Sequence, residues 1–167
     1  MKPQYIVIHH SLTKDGLIPD WEAIRRYHIE EKGWKDIGYH YGIEDVWGEV
    51  KLREGRPITE EGAHCLEAGM NQKSIGICVI GNFDDIPAPI NKLYFLRDLC
   101  FSLMVNYGIP AQNVIGHRDA GMMEGYDWRR KGPTGIPEYK SCPGTLFPLM
   151  ALKDILAGKV ADLVTPE

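Results

Sequence analysis

A chain of 167 residues is long enough to bury one hydrophobic core and too short to require a second domain. Its 19 Lys and Arg against 23 Asp and Glu leave a formal charge of -4, and no basic run interleaved with aromatics offers a phosphate track, which argues against nucleic acid as a partner. No apolar stretch approaches the ~20 residues of a membrane helix, and Met1-Lys2-Pro3-Gln4 passes straight into a strand-like run without a signal-peptide pattern, so the expectation is no membrane partner and a protein cytoplasmic as synthesised.

Tyr5-Ile6-Val7-Ile8 is short, β-branched and flanked by Pro3 and by Ser11 with the polar Lys14-Asp15-Gly16, the pattern of a buried strand ending at His9-His10. Asp20 is the N-cap of a helix predicted to run to Glu31, with Trp21, Ile24 and Tyr27-His28 at helical spacing and Gly33 closing it. Aromatic and β-branched residues on either side of Trp47-Gly48 predict a strand, a tight turn and a second strand. Arg53 to Gly69 is charged and aperiodic, a loop of the kind that lines clefts. The unbroken apolar run 75–81 predicts a central strand covered on both faces. From Ile90 to Asn106 the polar Asn91, Asp98, Ser102 and Asn106 gather near one side and apolar residues fill the rest, predicting a largely buried helix stopped by Gly108 and Pro110. A short strand over 113–116 delivers His117. The stretch from Arg118 to Tyr139 is too rich in Gly, Pro and charge for an internal element to be predicted. Leu146, Leu149, Leu152 and Ile155 predict a last helix ending by Gly158, which closes the domain at 1–158 and leaves 159–167 as a loosely held tail. Strands separated by helices, with one hairpin, give an α/β fold: a single domain with a central mixed sheet flanked by helices.

The four cysteines, Cys65, Cys78, Cys100 and Cys142, lack the repeated spacing of a disulfide framework. Cys78 and Cys100 lie in apolar runs and read as small buried hydrophobes. Cys142 differs, because Lys140 lies two residues before it and a nearby cation favours the thiolate that binds metal. A histidine from the His9-His10 pair, His117 and Cys142 together form a nitrogen and sulfur set suited to tetrahedral zinc with one position open. Alternation along a strand does not choose between His9 and His10. The competing readings are hydrogen-bonded core histidines with an inert thiol, or a cysteine nucleophile paired with histidine. His28 reads as packed, His40 as structural, and Cys65 has no role.

Five motifs then stand in order: Ile6-Val7-Ile8-His9-His10-Ser11; Gly33-Trp34-Lys35-Asp36-Ile37-Gly38-Tyr39-His40-Tyr41; Asn71 with Ser74-Ile75-Gly76-Ile77; Gly116-His117-Arg118-Asp119; and Lys140-Ser141-Cys142-Pro143-Gly144. In these the chain resembles, over roughly residues 4 to 157, the zinc-dependent N-acetylmuramoyl-L-alanine amidase family, type 2, which includes phage-lysozyme-type amidases and peptidoglycan recognition proteins. The resemblance implies a peptidoglycan-amidase-like fold and one catalytic Zn2+ held by His9, His117 and Cys142, which selects the first histidine of the pair. It also implies catalytic roles for Tyr39 and Lys140 and places His64 beside the substrate. The implied reaction is hydrolysis of the amide between N-acetylmuramic acid and L-alanine of peptidoglycan or a muropeptide. In it zinc activates water, Lys140 faces the oxyanion, and Tyr39 orients the water or passes a proton to the leaving amine. The biological setting is either an endolysin released by a holin-type route or a wall-recycling enzyme. Two alternatives stay open: a non-catalytic peptidoglycan-recognition module of the same fold, and zinc as a folding staple. The spacing from His117 to Cys142 is longer than in the shortest phage members, so the 118–139 insertion either extends or covers the cleft. Cys142 itself stands where many relatives carry aspartate.

Overall fold

The computed structural model describes residues 1–13 and 20–158; the segment 159–167 expected to be a tail, and Lys14-Asp15-Gly16, lie outside them. Strand β1 (Tyr5–His10) pairs in parallel with β4 (Ser74–Val79) on one side and β5 (Val114–Gly116) on the other. Strand β2 (Tyr41–Val46) joins β4 in parallel and β3 (Glu49–Glu54) in antiparallel fashion. The order among the described residues is β3-β2-β4-β1-β5, the mixed sheet that the α/β reading expects. The unbroken apolar strand β4 takes the centre because both its faces are covered. The β2–β3 turn places Trp47 at φ 57 and Gly48 at φ 85, the two left-handed residues that a two-residue hairpin needs to match strand twist.

Alternation divides the strands into two unlike faces. On one, Ile6, Ile8, Ile43, Ile75, Ile77 and Val79 meet α3 (Ile90–Tyr107) and α5 (Leu149–Leu156) in one large apolar cluster. On the other, Val7 and Ile115 join Cys65, Met70 and Ala120, while Cys78 and Ile80 join Trp21 and Ile37 in a separate cluster. Glycines on this second face make room for large rings. A Cβ on Gly42 would lie 2.4 Å from the Trp21 ring, and one on Gly76 would lie 2.4 Å from the His64 ring. His9 follows Val7 on this face and is the register partner of Cys78, which places it at the join between the two small clusters.

Several local expectations change. Helix α1 (Trp21–Arg26), capped by Asp20 Oδ1 accepting from the Ala23 N–H, continues from Tyr27 to Glu31 as a wider π-type turn, with Gly33 beyond it at φ 67. The largely buried helix expected over 90–106 is buried on one side only: Phe101 is 58% and Val105 68% exposed, because apolar content does not say which side a neighbour covers. Its buried side carries Lys92, whose Nζ donates to the Ile80 carbonyl at 2.8 Å. The stretch after His117, expected to be irregular, opens with α4 (His117–Met123), whose interior glycine and absent apolar period hide it from the sequence. A short turn, Glu67–Gly69, and the one-turn helix α2 (Met70–Lys73) lead into β4.

Candidate metal centre

Strands β1 and β5 run parallel, so their C-terminal ends deliver His9 and His117 to one edge of the sheet. This is where open α/β sheets present ligand-binding groups. Cys142 arrives from a loop that the chain clamps at several points. The Arg118 N–H donates to the Cys142 carbonyl at 2.8 Å, and Arg118 Nη1 donates to the Gly144 carbonyl at 2.8 Å, its guanidinium lying over the Trp128 ring. Asp84 holds the same loop from the other side, accepting from Ser141 Oγ at 2.6 Å and from the Thr145 N–H at 2.7 Å. Gly116 has no Cβ where one would lie 2.6 Å from Pro143 Cδ.

These supports bring one atom from each of His9, His117 and Cys142 within 4.8 Å of one another. His117 Nδ1 lies 3.2 Å and Cys142 Sγ 3.7 Å from His9 Nδ1. On the far side of each ring, His9 Nε2 is 3.0 Å from His64 Nδ1, and His117 Nε2 is 2.9 Å from Glu67 Oε2. A carboxylate only accepts, so His117 carries its proton on Nε2 and its Nδ1 is a bare lone pair. In the tautomer in which His9 Nε2 donates to His64 Nδ1, His9 presents a second. Two facing lone pairs beside a sulfur repel unless a proton or a cation lies between them. The nitrogen and sulfur donor set therefore fits zinc.

Electrostatics favour the same forms. Burial pushes the His9 imidazole well below its ordinary range, and the neighbouring His117, His64 and Lys140 push it further. Burial also lowers His64, to about 3, and lowers His117, where Lys140 adds to the effect and Glu67 opposes it. All three rings are thus neutral near pH 7, as metal ligands and their partners must be. Cys142 goes the other way: burial pushes its thiol up to about 12, although the His10 backbone and Lys140 pull it down. The neighbouring lysine does not make a thiolate on its own, and a bound metal would be needed to hold one.

Tyr39 sets its ring 5.2 Å from that of His9 and lines the cleft over His9, Lys140 and Cys142. Burial raises its phenol well above the usual value. Lys140 is half-exposed at the same cleft, its Nζ 3.2 Å from Glu67 Oε1. His64 is buried rather than lying free in a loop. Its ring fills the slot between Gly62 and Gly76, and its backbone N–H and that of Cys65 both donate to Asn71 Oδ1. His10 faces away from His9, its Nδ1 accepting from the Phe83 N–H at 3.2 Å. His40 accepts from the Gly76 N–H and His28 from the Gly38 N–H, both as backbone supports. Sequence reasoning missed Glu67, which also accepts from the Tyr139 hydroxyl, and it missed the Asp84 and Arg118 clamp. Only the Asp in Gly116-His117-Arg118-Asp119 and the acidic character of the loops hinted at such supports. Cys65, Glu67 and His117 form a second group of potential donors, but the Lys140 ammonium already lies against Glu67 there.

Residues 1–145 match the family model described as N-acetylmuramoyl-L-alanine amidase. The chain is 33% identical over 110 residues to the endolysin of Escherichia phage T7, covering 61% of the chain and 67% of the phage protein. It is 32% identical over 126 residues to peptidoglycan-recognition protein SC2 of Drosophila melanogaster, covering 72% of the chain and 66% of that protein. Against peptidoglycan-recognition protein LB of the same organism the matched part spans half the relative's length. Among solved structures, the N-acetylmuramoyl-L-alanine amidase LysC from Clostridium intestinale superposes with a TM-score of 0.69 at 26% identity, covering 93% of this chain and 86% of that one. A Drosophila PGRP-LB variant in complex with tracheal cytotoxin gives a TM-score of 0.65 at 27% identity, over 88% and 79% of the two chains.

Proposed function

The chain belongs to the N-acetylmuramoyl-L-alanine amidase family, and from that premise we propose that it is a zinc hydrolase cleaving the amide between N-acetylmuramic acid and L-alanine of peptidoglycan or its fragments. Family membership supports a peptidoglycan amidase or recognition role. The observation that favours hydrolysis is the convergence of His9 Nδ1, His117 Nδ1 and Cys142 Sγ on one point at the mouth of a cleft. When bound there, zinc supplies Lewis acidity and lowers the pKa of water toward ~7.

The chain's own groups divide the remaining work. His9, His117 and Cys142 would hold the ion, with His64 and Glu67 behind the two rings. Lys140 brings a cation into the same cleft, suited to meet the oxygen of the amide as charge develops on it. Tyr39 keeps its proton, because burial disfavours the phenolate, and so can donate to or orient groups over His9.

The test is incubation of the zinc-loaded protein with purified sacculi and with defined soluble muropeptides. New L-alanine amino groups, and products whose masses match cleavage at the lactyl amide, are the expected result. Sacculi that bind the protein but release nothing would replace this reading with the recognition module.

A further inference from the structure

The turn Glu67–Gly69 lies in a stretch that shows no pattern in the sequence, yet its first residue stands behind His117 and meets Lys140 and Tyr139 as well. Glu67 Oε2 is 2.9 Å from His117 Nε2, and Glu67 Oε1 is 3.2 Å from Lys140 Nζ and accepts the Tyr139 hydroxyl. The turn itself is held in place, since the Ala68 N–H donates to Glu124 Oε1 at 2.7 Å, tying it to the end of α4. Ala68 and Gly69, at φ 50 and 65, swing the chain so that the carboxylate faces inward. We propose that Glu67 is a positioning residue: it fixes the tautomer and orientation of His117 for the metal, and it allows the Lys140 cation to stand beside a dication. This rests on the zinc reading above.

His117 Nε2 and Lys140 Nζ are 3.2 Å apart, and both are donors once His117 turns its bare Nδ1 toward His9. Two donors do not bond to each other, so their approach needs a common acceptor, and Glu67 offers one oxygen to each. The other histidine ligand is backed differently, since His9 leans on the neutral ring of His64. A carboxylate behind an imidazole raises its basicity as well as aiming it. One ligand is therefore anchored by charge and the other by shape. Tyr139 closes the far end of the 118–139 excursion and stacks on Tyr126, with ring centroids 4.9 Å apart, so the excursion braces the same carboxylate.

The experiment compares the full chain with Glu67→Gln and Glu67→Ala by chelator-competition titration of zinc, by the visible spectrum of the cobalt-substituted protein, and by thermal unfolding of the metal-free forms. Glu67→Gln keeps size and one acceptor and removes the charge. The expected result is zinc affinity weakened about 10- to 100-fold, with shifted cobalt bands and an unchanged metal-free midpoint. Glu67→Ala should weaken zinc at least as much, and if it fails to fold the glutamine variant decides. Zinc affinity within twofold of the parent, with a superimposable cobalt spectrum, overturns the role of Glu67 while leaving the zinc hydrolase standing. A parent protein that binds no zinc overturns both.

Discussion

The two faces of the sheet are built from the same strands and serve opposite ends. Beneath α3 and α5, side chains from four strands merge into one continuous apolar cluster. On the opposite face the apolar residues separate into two small groups, and between them lie His9, His64 and His117, with glycines where a larger residue would block a ring. His9 and His10 make the contrast within two consecutive residues: one turns toward another imidazole and a thiol, the other accepts a backbone N–H from Phe83 and helps seat a loop. One face holds the fold together, which frees the other to collect polar groups that a core would not tolerate without partners.

The sharpest way to break this contrast is to truncate each histidine in turn. His9→Ala is expected to remove stoichiometric zinc and lower turnover by more than about 10³-fold on the scale of losing an essential catalytic group, with the fold retained. His10→Ala should keep zinc and turnover and cost about 1–3 kcal/mol in urea unfolding, since it strands the Phe83 N–H. Metal analysis and sacculus digestion on both proteins make the check, and zinc retained in His9→Ala with full turnover would remove the metal centre from this face. Tyr39→Phe comes next. It keeps the ring against His9 and deletes only the hydroxyl, so zinc content should be unchanged while kcat falls by about 10²- to 10⁴-fold, the usual range for a positioned proton donor. Equal kcat in the two proteins would make Tyr39 a packing residue.

A smaller and more telling pair sets Gly76→Ala against Leu96→Ala. The new methyl at residue 76 would meet the His64 ring at 2.4 Å, and His64 holds His9, so the cost of about 1–3 kcal/mol in stability should be accompanied by weakened zinc binding. Leu96 is fully buried in the large cluster, and its truncation should cost about 2–5 kcal/mol while zinc affinity of the folded protein stays at the parent value. If both variants lost zinc affinity in proportion to lost stability, the two faces would not be independent.

How much of this was legible follows the same division. Strand β1 opens on the apolar Tyr5-Ile6-Val7-Ile8 and β4 is apolar after Ser74, and the hairpin announces itself at Trp47-Gly48, because residues buried on both faces and residues forced into left-handed turns leave strong local marks. The large face was therefore readable, apart from how far α3 is covered: Phe101 and Val105 are apolar but meet no partner helix among the described residues, and pattern alone does not reveal that. Motifs name His9, Tyr39, His64, His117, Lys140 and Cys142, and these line one cleft. Glu67, Asp84 and Arg118 hold those residues from loops and from a seven-residue helix without periodicity, and their partners lie far away in sequence. Tyr139 reaches Glu67 across 72 positions, a relation that no local window contains.

The smallest effect belongs to Lys92, a charged side chain that the apolar face admits. Lys92 is 1% exposed, and burial lowers its ammonium from 10.5 to about 8, with Nζ donating to the Ile80 carbonyl just beyond β4. A folded value below the unfolded one means that between about pH 8 and 10.5 the unfolded chain binds more protons, so this group makes stability rise as pH rises through that window. The buried thiols act in the opposite sense, because burial raises Cys78 and Cys100 above their unfolded value and their contribution falls once the unfolded thiols ionise. The total curve therefore mixes two signs, and the informative quantity is the difference between the parent and Lys92→Met. Measured by urea unfolding at intervals from pH 7 to 10.5, that difference should shift steadily in favour of the parent as pH rises. A difference that stays flat across the window would mean that Lys92 reaches water in the folded protein, and the apolar face would then be less closed beside Ile80 than its buried side chains indicate.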